Sequence, residues 1–502
     1  MFLPLFFRLP SLFMLDYAPH LFVQFTRHSI MADILNFISG LLWGHVLIYL
    51  LIAAGLFFTF RLGFIQFRQF PYMVKVMANS RQGSDSGISS FQAFCTSLAA
   101  RVGTGNMAGV AVALYLGGAG AIFWMWLIAL IGIATSFAES ALAQLYKTKD
   151  EDGNFRGGPA YYMEYGLGKR WMGVLFSLCL ILAFGLVFNA VQANSITAAF
   201  EVAFDIPKHI MGIVLVIGSG FIIFGGLKTI SRFAELVVPF MALAYLAVAL
   251  YVCAINFELL PAVFKQIIYS AFGIEQAGAG AIGYAVMQAM IQGIKRGLFS
   301  NEAGMGSAAN AAATATPNPN HPASQGYVQM LGVFVDTVII CSATAALILL
   351  SNQLVPESGV TGIALTQAAL VQHVGEWGAI FIAVAILFFA FTSIVANYSY
   401  AETNLMFLEH NHKHGMLIFR LCVLGMVMFG SVSELGLIWT MADVSMGMMA
   451  IVNVAALFML SGAVIWLYKD YITQLKQGKV PVFDPNSNEK IKATLPKGIW
   501  TK

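Results

Sequence analysis

The stretch Arg101-Val-Gly-Thr-Gly-Asn-Met-Ala-Gly109 lies inside an otherwise apolar segment, and its reading decides the fold. Three glycines, a Thr and an Asn stand where a membrane helix calls for Leu and Val. Hydrocarbon cannot hydrogen-bond a freed N–H or C=O. A broken helix therefore survives at membrane depth only against protein or beside a polar cavity. In transporters such breaks hold the substrate and the coupling ion, so this stretch is the first candidate for the working site.

The surrounding composition sets the broad class. Of 502 residues, 59% are hydrophobic and only 10% are charged, with a mean hydropathy of +0.78. Soluble domains carry about 25% charged residues. The five cysteines are scattered through apolar segments without a CxxC and read as small buried side chains rather than disulfides or metal ligands. Hydropathy predicts eleven spans: 41–60, 88–115, 118–146, 171–200, 210–228, 233–255, 278–312, 325–352, 376–408, 415–433 and 436–468. Residues 1–30 mix Phe-rich pieces with charges and show no cleavage site. They read as an upstream extension of a chain that starts at Met31, or alternatively as an interfacial segment. Most Lys and Arg fall in connections 61–85 and 147–170, near Lys228, Arg232, Lys295 and Arg296, near Lys413 and Arg420, and in the tail. The positive-inside rule then puts the N-terminus outside and the C-terminus in the cytoplasm.

Charges inside spans are costly and are functional hypotheses by default. Arg101, Glu139, Lys295, Arg296, Glu302, Asp336 and Glu402 qualify. Glu402 reads as a structural ion pair or a residue near the membrane surface, and Glu139 as a helix-end anchor. Asp336 is balanced between structure and function and is counted with the candidate coupling or gating charges. Arg101 and Glu302 stand beside Gly-rich breaks, where they meet freed backbone groups, and read as coupling or gating charges. The second break is Gly293-Ile-Lys-Arg-Gly-Leu-Phe-Ser-Asn-Glu-Ala-Gly-Met-Gly-Ser307. It falls five spans after the first, so each break opens a set of five helices. An odd number per half gives the halves opposite orientations, which points to an inverted repeat with a central binding site. The expected fold is all-α and membrane-embedded: a preceding helix and connector at 31–87, repeat 1 at 88–255, an extracellular connector at 256–277, repeat 2 at 278–468 and a cytoplasmic tail at 469–502. Both breaks carry Arg followed five residues later by Asn (Arg101/Asn106 and Arg296/Asn301).

Five ordered blocks resemble a known family. They are Gly103-Thr-Gly-Asn106, Gly117-Gly-Ala-Gly-Ala-Ile-Phe-Trp-Met-Trp-Leu-Ile-Ala-Leu-Ile-Gly132, Gly157-Gly-Pro-Ala-Tyr-Tyr-Met163, Asn189-Ala-Val-Gln-Ala-Asn194 and Ser300-Asn-Glu-Ala-Gly-Met-Gly-Ser307. Together they are similar to the signatures of the sodium:alanine (alanine/glycine:cation) symporters, and the likeness runs from about Met31 to Asp470. The resemblance implies a bacterial inner-membrane amino-acid importer, not an enzyme, with the leucine-transporter-like five-plus-five fold and no cofactor beyond a coupling Na+.

A zwitterion suits those blocks. A half-helix N-terminus offers N–H groups to a carboxylate, and the C-terminal end of the other half offers carbonyls to an ammonium. Thr104, Gly105 and Asn106 are the expected donors. The resemblance adds Gln192, whose rival reading is an interhelical hydrogen bond. Gly297, Phe299, Asn301 and Asn397 complete the expected substrate contacts, with Phe299 either capping a small side chain or merely packing. Phe391-Thr-Ser-Ile394 looks like the sodium-binding Thr/Ser pair of that fold. Thr392 and Ser393 would supply hydroxyls, and the backbone from Ala99 to Val102 carbonyls, to a hard cation that wants oxygen. The rival reading is two hydroxyls back-bonding to their own helix. Arg101 and Asn397 depart from the implied pattern, which leaves alanine or glycine as the default cargo and serine or glutamine as alternatives. Proton coupling and a non-transporting sensor are the rival functions. His45, His321 and His373 are too dispersed for a catalytic set, and the halves differ too much for a repeated channel motif. The Pro-rich segment from Thr314 to Pro322 reads as a turn. The polar tail, with Pro481, Pro485 and Pro496, reads as loosely ordered. The sequence carries no nucleotide motif, no nucleic-acid patch and no signal of oligomeric state.

Overall fold

The computed structural model describes residues 30, 32–81, 87–274, 279–355, 358–409 and 413–500. The expected upstream extension, apart from residue 30, and its Met31 boundary lie outside them. Helices make up nearly all of the described chain. One two-residue strand pair, Thr148–Lys149 with Phe155–Arg156, closes a connecting loop.

The first half runs α1 (Ala32–Arg61), α2 (Ser90–Arg101), α3 (Gly105–Gly117), α4 (Gly120–Leu145), α5 (Arg170–Phe204), α6 (Lys208–Ile223) and α7 (Leu227–Ile255). The connector holds α8 (Leu260–Ala271). The second half runs α9 (Ala279–Asn301), α10 (Ala308–Thr314), α11 (Pro322–Leu349), α12 (Gly362–Val374), α13 (Trp377–Glu409), α14 (Lys413–Val432) and α15 (Leu435–Met459). A further helix, α16 (Ser461–Lys476), leads to the tail. Among the described residues, eight helices are long and apolar enough to cross a bilayer by themselves: α1, α4, α5, α7, α11, α13, α14 and α15.

The two expected breaks are present. The first is short: α2 stops at Arg101, Val102 turns extended with ψ 92°, and α3 resumes. The second is longer, and Glu302, Gly304 and Gly306 all hold positive φ. Half-helix α2 packs against α10, and α3 packs against α9. The N-terminal half of one broken helix thus meets the C-terminal half of the other, as opposed orientations of the two repeats require. Helices α4 and α11, the next helix in each half, pack directly together. Small residues permit this: a Cβ on Gly326 of α11 would run into the ring of Phe137 on α4.

The outer surface is apolar. Along α7, Val238, Met241, Tyr245, Ala249 and Val252 are buried at helical spacing, whereas Leu236 and Phe240 are each 77% exposed. One stripe faces protein and the other faces hydrocarbon.

The structure corrects the sequence reading in four places. Helix α1 begins at Ala32 rather than 41. The span expected at 436–468 breaks at Leu460 into α15 and α16. The loops hold two unexpected helices, α8 and α12. Short α12 is tied inward, because Thr366 donates to the Met107 carbonyl (3.1 Å) and Gln367 to that of Ala199 (3.1 Å). The tail is docked rather than loose: the Phe483 amide donates to Asn320 O (3.0 Å), Trp500 donates to Gln144 O (3.2 Å), and Thr494 meets the Tyr146 hydroxyl (3.2 Å). A few apolar side chains, Phe483 and Ile491 among them, supply burial that the polar average concealed.

Candidate functional site

The site forms where α2 ends and α3 begins. The last carbonyls of a helix have no partner within it. At α2 two of them meet a side chain from α13: Ser393 Oγ lies 2.7 Å from Ala99 O and 3.5 Å from Val102 O. Ser393 also donates to Phe389 O of its own helix (3.0 Å). Three of the oxygens expected around sodium therefore converge. Thr392 does not join them; its hydroxyl back-bonds to Phe389 O at 2.9 Å. Two neighbouring residues on a helix point about 100° apart, and here only one of the pair faces the break.

Gly103 is required by contact. A Cβ there would collide with Ser393 Oγ and would lie 2.7 Å from Gln192 Oε1. Gln192 on α5 accepts the Thr104 amide at 2.8 Å. It thereby occupies the first N–H of the half-helix expected to receive a carboxylate. Thr104 Oγ1, fully buried, has no hydrogen-bond partner among the described residues.

Asn106 is held rather than free. Its Oδ1 accepts the Gly103 amide (2.9 Å), and its Nδ2 donates to Asp336 Oδ1 (2.6 Å). The other Asp336 oxygen accepts from Ser300 (2.8 Å) and Thr337 (2.7 Å). Asp336 on α11 thus links the first break to α9, and Cys341 lies beside it, 3.2 Å from Ser300 Oγ. A buried carboxylate needs several donors to offset its lost hydration, and Asp336 has them.

The second break has its own supports. Glu302 accepts from Ser307 Oγ (2.6 Å). Glu139 is fully buried well inside α4, not at a helix end, and accepts the Gly304 amide (3.4 Å) and Asn453 Nδ2 (3.0 Å). Arg101 is 1% exposed. It donates to Gln329 O (3.3 Å) and Ser136 Oγ (3.5 Å), so it ties α2 to α11 and α4. Among the described residues no carboxylate lies within 4.0 Å of it, so a direct pair with Glu302 is not formed. The Arg/Asn echo between the breaks does not extend to partners: Asn301 Oδ1 accepts the Ala303 amide (3.0 Å).

Phe299 sits over the break. Its ring lies 4.4 Å from that of Phe188 and 4.7 Å from that of Trp439, and its Cδ1 would be 2.9 Å from a Cβ on Gly105. Gly297 does not reach this place; it faces Met125 and Ile128 of α4. Asn397 bonds Asn189 on α5 (3.2 Å), and its own Oδ1 has no partner among the described residues.

Lys295 and Arg296, counted both with the cytoplasmic-side cations and among the charges inside a span, are buried inside α9. Both bond one oxygen of Asp443 on α15, at 3.2 and 2.8 Å. Asp443 escaped the sequence reading, although a lone Asp inside an apolar span was signal enough. Glu402 matches its expected role, pairing with Arg156 and Arg420, each at 3.5 Å.

Two discontinuous helices facing each other, with hydroxyls and carbonyls at the break, define a multi-pass membrane transporter. Residues 28–485 match the model of the sodium:alanine symporter family. The chain belongs to that family and is a transporter, not an enzyme. It is 51% identical over 456 residues to the probable sodium/glutamine symporter GlnT of Bacillus subtilis, covering 91% of this chain and 94% of that one. It is 48% identical to the uncharacterized transporter YaaJ of Escherichia coli, covering 94% and 99%. To the sodium/alanine symporter AgcS of Methanococcus maripaludis it is 37% identical, covering 86% and 95%. Among solved structures, MhsT in complex with L-phenylalanine superposes with a TM-score of 0.50 at 14% identity, covering 77% of this chain and 99% of that one. A manganese transporter of Eremococcus coleocola gives 0.51 at 15%, covering 75% and 82%. These likenesses bear out the expected all-α, leucine-transporter-like fold class.

Proposed function

We propose that the protein carries a small neutral amino acid, alanine or glycine by default, into the cell together with Na+ by alternating access. The observation that carries this reading is the meeting of Ser393 Oγ with the Ala99 and Val102 carbonyls beside the Gly103–Thr104 backbone. Cation oxygens and substrate donors then belong to one break, so that occupancy of one organises the other. Sodium enters as cargo at the Ser393 oxygens. Gln192 releases the Thr104 amide to the incoming carboxylate, and Phe299 covers the side chain. The proposed setting is the bacterial inner membrane, with the N-terminus periplasmic and the C-terminus cytoplasmic. The similarity to GlnT, a probable sodium/glutamine symporter, and to AgcS, a sodium/alanine symporter, supports an amino-acid cargo coupled to sodium.

A second reading has an observation of its own. Glu139, Glu302 and Asp336 are all buried in the region that holds Arg101 as its cation. Unbalanced buried carboxylates favour a proton as the coupling ion in place of sodium. Labelled alanine uptake into proteoliposomes decides between these readings. Accumulation above equilibrium that needs an inward sodium gradient is the expected result. Accumulation driven by a proton gradient without sodium supports the second reading. Downhill flux alone indicates a channel, and binding without flux a sensor.

A further inference from the structure

The aromatic wall beside Gly105 continues into a polar cluster that the symport reading does not use. One helical turn along α3, a Cβ on Gly109 would lie 3.4 Å from the Trp439 ring and 3.9 Å from Arg296 Cδ. Arg296 Cζ stands 4.2 Å from the Trp439 ring centroid, and Trp439 in turn packs on Phe299. The cluster therefore adjoins the place where Phe299 meets Gly105.

Its hydrogen bonding is unfinished in a specific way. Lys295 and Arg296 both bond Asp443 Oδ2, which leaves Asp443 Oδ1 without a partner. Arg296 Nε, Arg296 Nη1 and Trp439 Nε1 also lack partners among the described residues. Arg296, Trp439 and Asp443 are each at most 5% exposed. Buried polar groups are normally paired, because each unpaired one costs about 1–3 kcal/mol. Here three N–H donors and one carboxylate oxygen, carried on touching residues, await a partner with both characters.

We propose that Arg296, Trp439 and Asp443 form a subsite for a side-chain primary amide. The amide carbonyl takes N–H groups from Arg296 and Trp439, and the amide NH2 donates to Asp443 Oδ1. The inference rests on the reading that the substrate main chain lies at Gly103–Asn106. The cluster lies beside Gly109, one helical turn or about 5.4 Å along α3 from Gly105, so the side chain that brings an amide to it is longer than the alanine methyl. A carboxylate would satisfy the donors but would face the Asp443 oxygen charge against charge. A thioether of the same length would leave every group unpaired.

Wild-type protein in proteoliposomes with an inward sodium gradient tests this, with glutamine, asparagine, glutamate and methionine competing against labelled alanine. Glutamine is expected to compete at a concentration at least tenfold below that of methionine or glutamate. Trp439→Phe keeps the ring and removes one donor, and is expected to lower the glutamine-to-alanine uptake ratio severalfold. Glutamine no better than methionine, or an unmoved ratio in the variant, would overturn the subsite. If Trp439→Phe does not fold, the wild-type panel decides. If wild type accumulates no amino acid, symport fails separately, and the subsite is then judged by whether glutamine raises the Tm of the solubilised protein more than methionine does.

Discussion

Thr392 and Ser393 carry the same hydroxyl one residue apart, and their fates separate at the residue scale. Ser393 reaches the carbonyls of Ala99 and Val102; Thr392 returns to its own helix. The pair was legible in the sequence as candidate sodium ligands. Which member faces the break depends on the rotation of α13 about its axis, which tertiary packing sets. Ser393→Ala is therefore expected to raise the sodium concentration for half-maximal alanine uptake about tenfold or more, and Thr392→Ala to move it much less. Gly103→Ala should abolish uptake while leaving membrane insertion intact, since its Cβ meets Ser393 and Gln192; uptake assays beside a blot of membrane fractions check both. Arg101→Ala should insert and change amino-acid selectivity or ion dependence. Unchanged uptake of alanine, glycine, serine and glutamine would count against that role.

At the scale of elements, Asp336 of α11 joins the two broken helices by accepting from Asn106 on one side and Ser300 on the other. The two breaks were visible as Gly-rich anomalies. The bond between them was not, because 230 residues, more than a full repeat, separate Asn106 from Asp336. The partners of Asp443 and Glu139 were hidden for a related reason: a carboxylate inside a span signals a partner without naming it. A double-mutant cycle of Asn106→Ala and Asp336→Asn, read by thermal unfolding in detergent, should show a coupling of about 0.5–3 kcal/mol. Additive effects would mean that the two residues act independently.

The whole molecule adds the tail and its pH response. Its docking escaped the sequence because average polarity hid three separated anchors, Phe483, Ile491 and Trp500. Truncation after Lys479 should lower Tm by several degrees, as loss of about 2 kcal/mol per buried large side chain requires. Nearby, His321 caps α11 through Ala323 N–H (3.1 Å) and meets Asp470 (3.1 Å). Burial holds its imidazole below the ordinary range, with Asp470 opposing. The unfolded chain then binds a proton that the folded one refuses. This contribution to stability is full above pH about 6.5 and is lost as pH falls towards the lowered value. Tm should fall more steeply between pH 7 and 5 in wild type than in His321→Asn; parallel slopes would exclude His321 as the source.

Coupling itself is a linkage between two ligands at one break, and linkage is reciprocal. The most direct measurement is the alanine affinity of purified protein as a function of sodium concentration, in wild type and in Ser393→Ala. Wild type is expected to bind alanine more tightly as sodium rises, and Ser393→Ala to need about tenfold more sodium for the same gain. An alanine affinity indifferent to sodium, or an identical sodium dependence in the variant, would contradict a shared cation and substrate site at the Gly103 break.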